Sequence, residues 1–554
     1  MKLIVPVITI WFLIYSALGV PLDTLGLGVY IPTVNSFQVE SWIPSNTLSY
    51  LKSFIDDFYK PRDYPNSHLL IDGVKGKVKP ADKSLENWLI LQKKISFESI
   101  LNNIGGVGIN DDAVAIGAVI ASPSKERPNY FYQWTRDAAI TIGSLIEYLE
   151  DNEFNENNYN LVFAIESYIA NSYKLQRLDN KSGSWESLAG LGEPKFMPDS
   201  STFNLSWGRP QRDGPGLRAI TIIRYLNLLE KYRLNITHPE LHSSNWIYDK
   251  IVKPDLNYII KYWYQKGFDL WEEVNSIHLF TSLTQLKALK LGIEISDKLD
   301  NDKVFKDHLF EAFCALKFYI VVDSGFKNSN LPYLIETPSL VAQGKRSGLD
   351  VASILASLIS HDMTSQDSKD IPFPVEDSIV FSTLTSLIND MKYRYPINHG
   401  KIGFSKGFAL GRYPEDIYDG YGLSEGNPWF ISTATASELI YKIIYNLHKN
   451  EKDLILTSDQ AILISQISNI HFKCNVKEII LPFGSDAFYE MTMTLMNYGD
   501  SFLEVIMEHV DNEGHMSEQF NRYSGYMEGA ENLTWSYGSF WSSLRWREKA
   551  LGLL

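Results

Sequence analysis

The chain of 554 residues is 45% hydrophobic and carries a formal charge of −15. That supplies apolar material for a large core, and the lack of a basic excess excludes nucleic acid, whose phosphates are bound by displacing counterions. Two cysteines, Cys314 and Cys474, exclude a disulfide scaffold and a four-thiolate zinc site.

Residues 1–19 read as a secretory signal: Lys2, an apolar run over 3–18, then small residues at Ala17 and Gly19. No later apolar stretch reaches the ~20 residues of a membrane span, so no membrane association is expected once the signal is cleaved. Sequons at Asn180, Asn204, Asn235 and Asn532 agree with a glycoprotein exported to the medium or carried to a vacuole. Residues 20–84 mix Pro and charge clusters with little periodicity and form an N-terminal extension of unknown role. From residue 85 to 554 helical spacing dominates, and this stretch is the expected main domain.

Helices are predicted over 138–149, 217–229 (opened by Gly214-Pro215), 254–263, 277–291, 304–320, 351–359, 379–391, 428–447, 486–496, 501–509 and 537–551. Strand-like alternation is scarce, which makes the fold class mostly α. Cys314 falls within the 304–320 helix and is expected as a buried free thiol. The nucleophile-elbow match Gly403-Phe404-Ser405-Lys406-Gly407 lacks a strand before it and a helix after it, so it carries no catalytic reading.

Clusters rich in Trp, Arg and carboxylates stand just before helices, at 134–137, 207–210, 269–273, 346–348 and 411–416. This pattern fits a helical barrel whose loops converge on a pocket at one end. With 13 Trp and 31 Tyr available to pack on sugar faces, a neutral carbohydrate is the expected ligand. Hydrolysis of a glycosidic bond needs one carboxylic acid for the departing oxygen and one carboxylate to activate water. The acid keeps its proton through apolar burial or neighbouring negative charge. Asp269-Leu270-Trp271-Glu272-Glu273 offers both, with Trp271 placed to exclude water.

That cluster belongs to an ordered series: Tyr130–Asp137, Gly190–Phe196, Ser206–Pro215, Asp269–Asn275, Arg346–Asp350, Gly411–Asp416, Asn427–Phe430 and Ser517–Phe520. From about residue 85 onward the chain resembles family 15 glucoamylases. The resemblance implies an (α/α)6 barrel and a monomeric enzyme that uses no cofactor or metal. It further implies inverting exo-hydrolysis of terminal α-1,4-linked, and more slowly α-1,6-linked, glucose from starch-like or glycogen-like chains. By the same resemblance Glu272 is the proton donor and Glu415 the general base, with Asp269 supporting the acid or acting as the alternative base. Arg136, Asp137 and Arg346 grip the terminal glucose; Glu273 binds substrate hydroxyls; Trp207, Tyr130, Trp134 and Trp271 wall the site; Arg209 and Asp350 stand behind it. Residues 417–426 look longer than in mould relatives. No Ser/Thr-rich linker or β-patterned module follows the last helical run, so weak adsorption to raw starch granules is expected.

Overall fold

The computed structural model describes residues 85–554, except 110, 153–157, 301, 362–366, 400–406, 459, 462 and 464–477. The expected signal and extension, Cys474 and most of the elbow match therefore lie outside the described residues. Twelve helices of eight or more residues occur among the described ones: α1 Leu85–Asn102, α2 Thr135–Asp151, α3 Tyr159–Gln176, α4 Gly214–Tyr232, α5 Lys253–Tyr262, α6 Leu279–Leu299, α7 Lys303–Phe318, α8 Ala352–Ser360, α9 Ser378–Arg394, α10 Phe430–Lys449, α11 Asp486–His509 and α12 Thr534–Leu551.

Their packing closes a ring. The even-numbered helices touch in the cycle α2, α4, α6, α8, α10, α12 and back to α2, and each odd-numbered helix packs outside an even one. This is the (α/α)6 barrel expected from the sequence. Inner and outer helices differ in pattern for a simple reason. α10 is covered on nearly every side and buries small polar residues such as Ser432, Thr433, Thr435 and Ser437 along with its aliphatic ones. α7 buries only Phe305, Leu309, Ala312 and Leu316, the single stripe of an amphipathic surface helix. Cys314 lies off that stripe and is exposed, not buried as expected.

Two predicted helices merge. Gly499 does not end the 486–496 run; α11 passes through it to His509. A side chain at 499 would collide with the Tyr441 ring of α10, so glycine serves close helix contact here. Strands are limited to four short antiparallel pairs: β1 Gln133–Trp134 with β2 Lys195–Phe196, β3 Gly267–Phe268 with β4 Asn275–Ser276, β5 Leu454–Thr457 with β6 Glu478–Leu481, and β7 Gln519–Phe520 with β8 Met527–Glu528. Three of these pin loops at the N-terminal end of the inner helices. No described helix is long and apolar enough to cross a membrane.

Candidate active site

A cavity of about 310 Å³ opens where the inner-helix N-termini converge. Trp134 is the residue before α2, Arg136 and Asp137 form its first turn, and Trp429 immediately precedes α10. Trp207 and Gly208 come from the loop before α4, and residues 270–273 from the hairpin before α6. Arg412 and Tyr418 come from the loop before α10, while Glu518 and Trp535 come from the hairpin before α12 and that helix's first turn.

The acid loop is the turn between β3 and β4. Glu272 adopts a left-handed backbone, φ 67°, which costs a non-glycine residue about 1–2 kcal/mol. Asp269 answers that cost. Its Oδ1 accepts from the Glu273 and Val274 N–H groups at 2.8 and 2.6 Å, and hydrogen bonds to a charged acceptor contribute roughly 1.5–3 kcal/mol each. Asp269 is buried beneath the turn and does not line the cavity. Of its two expected roles, geometry favours support of the acid.

The Glu272 carboxyl is gripped on one oxygen. Oε1 accepts from Trp134 Nε1 at 2.6 Å, Gln211 Nε2 at 3.0 Å and Arg136 Nη2 at 3.4 Å. Oε2 has no hydrogen-bond partner among the described residues. Although burial works against its charge, Asp213, Asp137 and Glu272 hold the Arg136 guanidinium above its ordinary value. Burial pushes the Asp137 carboxyl up to about 6, with Arg136 opposing.

Glu273 faces the other way. Burial opposes its charge, yet Arg412, the Tyr413 hydroxyl and Arg346 together hold its carboxyl below the usual range. Arg412 Nη2 donates to Oε1 at 2.8 Å and Arg346 Nη2 to Oε2 at 2.9 Å. Trp271 is fixed by Nε1 donating to Asp350 at 3.0 Å. Burial drives the Asp350 carboxyl up to about 8.

Besides Asp269 and Asp350, three expected residues fall outside the lining. Arg209 grips Glu193 through Nε at 2.7 and 2.9 Å and tethers the backbone at 203 and 205, so it braces the Trp207 loop from behind. Arg346 lies over the Tyr413 ring and reaches Glu273; beside Glu273 it is Arg412, buried and paired with Asp416, that lines the cavity, as Arg136 does near Glu272. Glu415 is exposed, and its Oε1 accepts the Ser347 N–H at 2.9 Å. Glu415 is exposed between buried Pro414 and Asp416 and does not line the pocket.

Glu518, unlike Glu415, lines the cavity. It is 1% exposed yet borders the cavity. The β7–β8 hairpin carries it, with its N–H bonded to the Ala530 carbonyl at 2.9 Å. Gly529, at φ 75°, leaves the room its carboxylate needs, because a Cβ there would overlap it. Tyr418 donates to Oε2 at 3.3 Å, and the Tyr130 hydroxyl, 3.1 Å from that of Tyr418, bonds the same carboxyl. Burial pushes Glu518 up to about 7, opposed by these phenols and by Arg412. Both Glu518 and Glu272 act electrostatically on Tyr130, which ties the two carboxyls to one pocket. Sequence reasoning quoted the 517–520 motif without giving Glu518 a task; its isolation from other acids left no local signal.

A carboxyl free on one oxygen, a second buried carboxyl and an aromatic-walled cavity define the site of a glycoside hydrolase. A family model described as glycosyl hydrolases family 15 matches residues 94–544. The chain is 41% identical over 485 residues to a glucoamylase of Saccharomycopsis fibuligera, covering 85% of this chain and 91% of that one. It is 38% identical over 482 residues to a Saccharomyces cerevisiae glucoamylase described as intracellular and sporulation-specific, covering 84% and 85%. The structure of the Saccharomycopsis fibuligera glucoamylase at atomic resolution superposes with a TM-score of 0.80 at 40% identity, covering 87% of this chain and 99% of that one. The chain belongs to glycosyl hydrolases family 15.

Proposed function

We propose that this protein is a glucan 1,4-alpha-glucosidase that removes single glucose units from the non-reducing ends of starch-like and glycogen-like chains. α-1,4 links are its main target and α-1,6 links a slower one. The observation that carries the reading is the pair Glu272 and Glu518 in one cavity. Glu272, held on Oε1, uses the free Oε2 to protonate the glycosidic oxygen as the bond breaks. Glu518 removes a proton from the water attacking the opposite face of the sugar, and the product emerges as β-glucose. Arg136 and Asp137 at one side and Arg412 with Glu273 at the other offer paired donors and acceptors for the hydroxyls of the terminal ring. The scheme needs two carboxyls and water, with no cofactor, and one chain supplies every group named.

Residues 85–554 are assigned to catalysis, 1–19 to export and 20–84 to an extension. The signal-like start supports a secreted or vacuolar protein. Asn204, whose amide donates to the Thr202 hydroxyl at 3.1 Å, and Asn235 have exposed side chains and are the assigned glycan acceptors. The Asn180 amide instead donates to the Leu178 and Gly190 carbonyls, and Asn532 accepts from Tyr537. Glucose release from maltose, soluble starch and trehalose tests the reading: the first two are hydrolysed and trehalose is not. Preferential trehalose hydrolysis would replace it.

A further inference from the structure

Lys195 belongs to a motif that the reaction scheme leaves unused. It stands on β2 opposite Trp134 and is 2% exposed. Its ammonium lies 3.5 Å from the Trp207 ring centre, 4.2 Å from Tyr132, 4.3 Å from Trp134 and 4.5 Å from Phe203. Among the described residues no carboxylate reaches ion-pairing distance of it, and no acceptor hydrogen-bonds it.

Such a group is costly to a fold. A buried ammonium without an acceptor loses its hydration and gains no full replacement. Cation–π attraction to a cage of rings, strongest for tryptophan and when desolvated, returns part of that loss. Burial accordingly pushes the amine down to about 7, with the Glu272 charge opposing. A methionine would fill the same space without the penalty. What Lys195 contributes must therefore be sought in what it touches.

It touches two pocket walls. Trp134 is the shortest hydrogen bond to the acid. Trp207 lines the cavity, is 37% exposed, and stands 6.0 Å from Trp134, ring to ring. Among the described residues no hydrogen bond holds the Trp207 indole, so its placement depends on the rings around it and on the ammonium against its face. We propose that Lys195 is a positioning residue that pins Trp207 at the pocket edge and, through Trp134, steadies Glu272 for proton transfer to the leaving sugar. This rests on the reading of the pocket given above.

The test is Lys195→Met in the full chain, which keeps length and removes charge. Expected results are an unchanged or higher Tm, greater acrylamide quenching of tryptophan fluorescence, and a kcat/KM on maltotriose lower by about tenfold or more, as misplaced pocket groups produce. In a Trp207→Leu background the same change should cost only about twofold, because coupled residues are not additive. A lower Tm or a failure to fold would make Lys195 structural and overturn the proposal. So would kcat/KM within about twofold of the parent, or an undiminished loss in the Trp207→Leu background. Should the parent chain release no glucose, the pocket reading itself fails, while melting and quenching still judge Lys195.

Discussion

The loop before α10 and the hairpin before α12 each bring a glutamate to the pocket end of the barrel, and the two glutamates meet opposite fates. Glu415 is exposed and caps the backbone of a neighbouring loop at Ser347. Glu518 is buried, held by two phenols and set against the cavity. Residue type and motif membership are the same; what differs is the local chain path. In 411–416 the inward positions belong to Arg412 and Asp416, while in 517–520 the short β7–β8 ladder aims Glu518 inward and Gly529 clears the space beside it. A carboxylate's role follows from where its backbone points it.

The sharpest way to break this contrast is mutation of each glutamate. Glu272→Gln and Glu518→Gln should each lower kcat on maltotriose by about 10²–10⁴-fold, the range for loss of a general acid or base. Glu415→Gln, on the surface, should stay within about threefold of the parent. A reversed order for Glu415 and Glu518 would return the base to the α10 loop.

The guanidinium pair extends the comparison. Arg412→Lys loses the planar fork inside the cavity and should lower kcat/KM by about 10–100-fold, in line with a lost charged contact of roughly 1.5–3 kcal/mol. Arg346→Lys acts only through Glu273 and should cost about threefold, comparable to an exposed ion pair. Equal losses would restore Arg346 to the sugar clamp.

Tyr130→Phe sharpens the electrostatic side. The Tyr130 hydroxyl hydrogen-bonds the Glu518 carboxyl and lowers it against the upward push of burial. Without that donor the carboxyl titrates higher, so the acid limb of the kcat/KM profile should move to higher pH. A limb that stays put would detach Glu518 from the titration that governs activity.

The smallest effect concerns stability. Glu518 and Asp350 titrate in the folded protein at about 7 and about 8, above the usual carboxyl range. The folded chain therefore holds more protons than the unfolded one across that window. The stability these groups contribute is full below about pH 4 and is lost as pH rises through 7 and 8. Tm should fall between pH 5 and pH 8, and Asp350→Asn should flatten the slope; a rising Tm would contradict the burial of both groups.

Much of this was legible in the chain itself. Helical spacing marked the six inner helices and four of the outer ones but not α1 or α3, while the barrel itself was implied by the family resemblance; Pro215 does open α4. Glu272, Trp134, Arg136, Asp137 and Trp207 were readable because they crowd into short motifs. Glu518, Tyr418 and Arg412 were given no role, although Arg412 and Glu518 stand in quoted motifs, because closure of the ring assembles them from distant loops and a motif does not show which of its side chains turns into the pocket. The runs 486–496 and 501–509 were read apart because 497–500 lacks apolar periodicity; α11 continues through it, with Gly499 packed against the Tyr441 ring.

The central claim is that Glu272 and Glu518 act on opposite faces of one terminal glucose. The most direct measurement is proton NMR of the anomeric signals in the first moments of maltotriose hydrolysis, before mutarotation. The account predicts that β-glucose appears first and the α form grows in later. Initial α-glucose would contradict it.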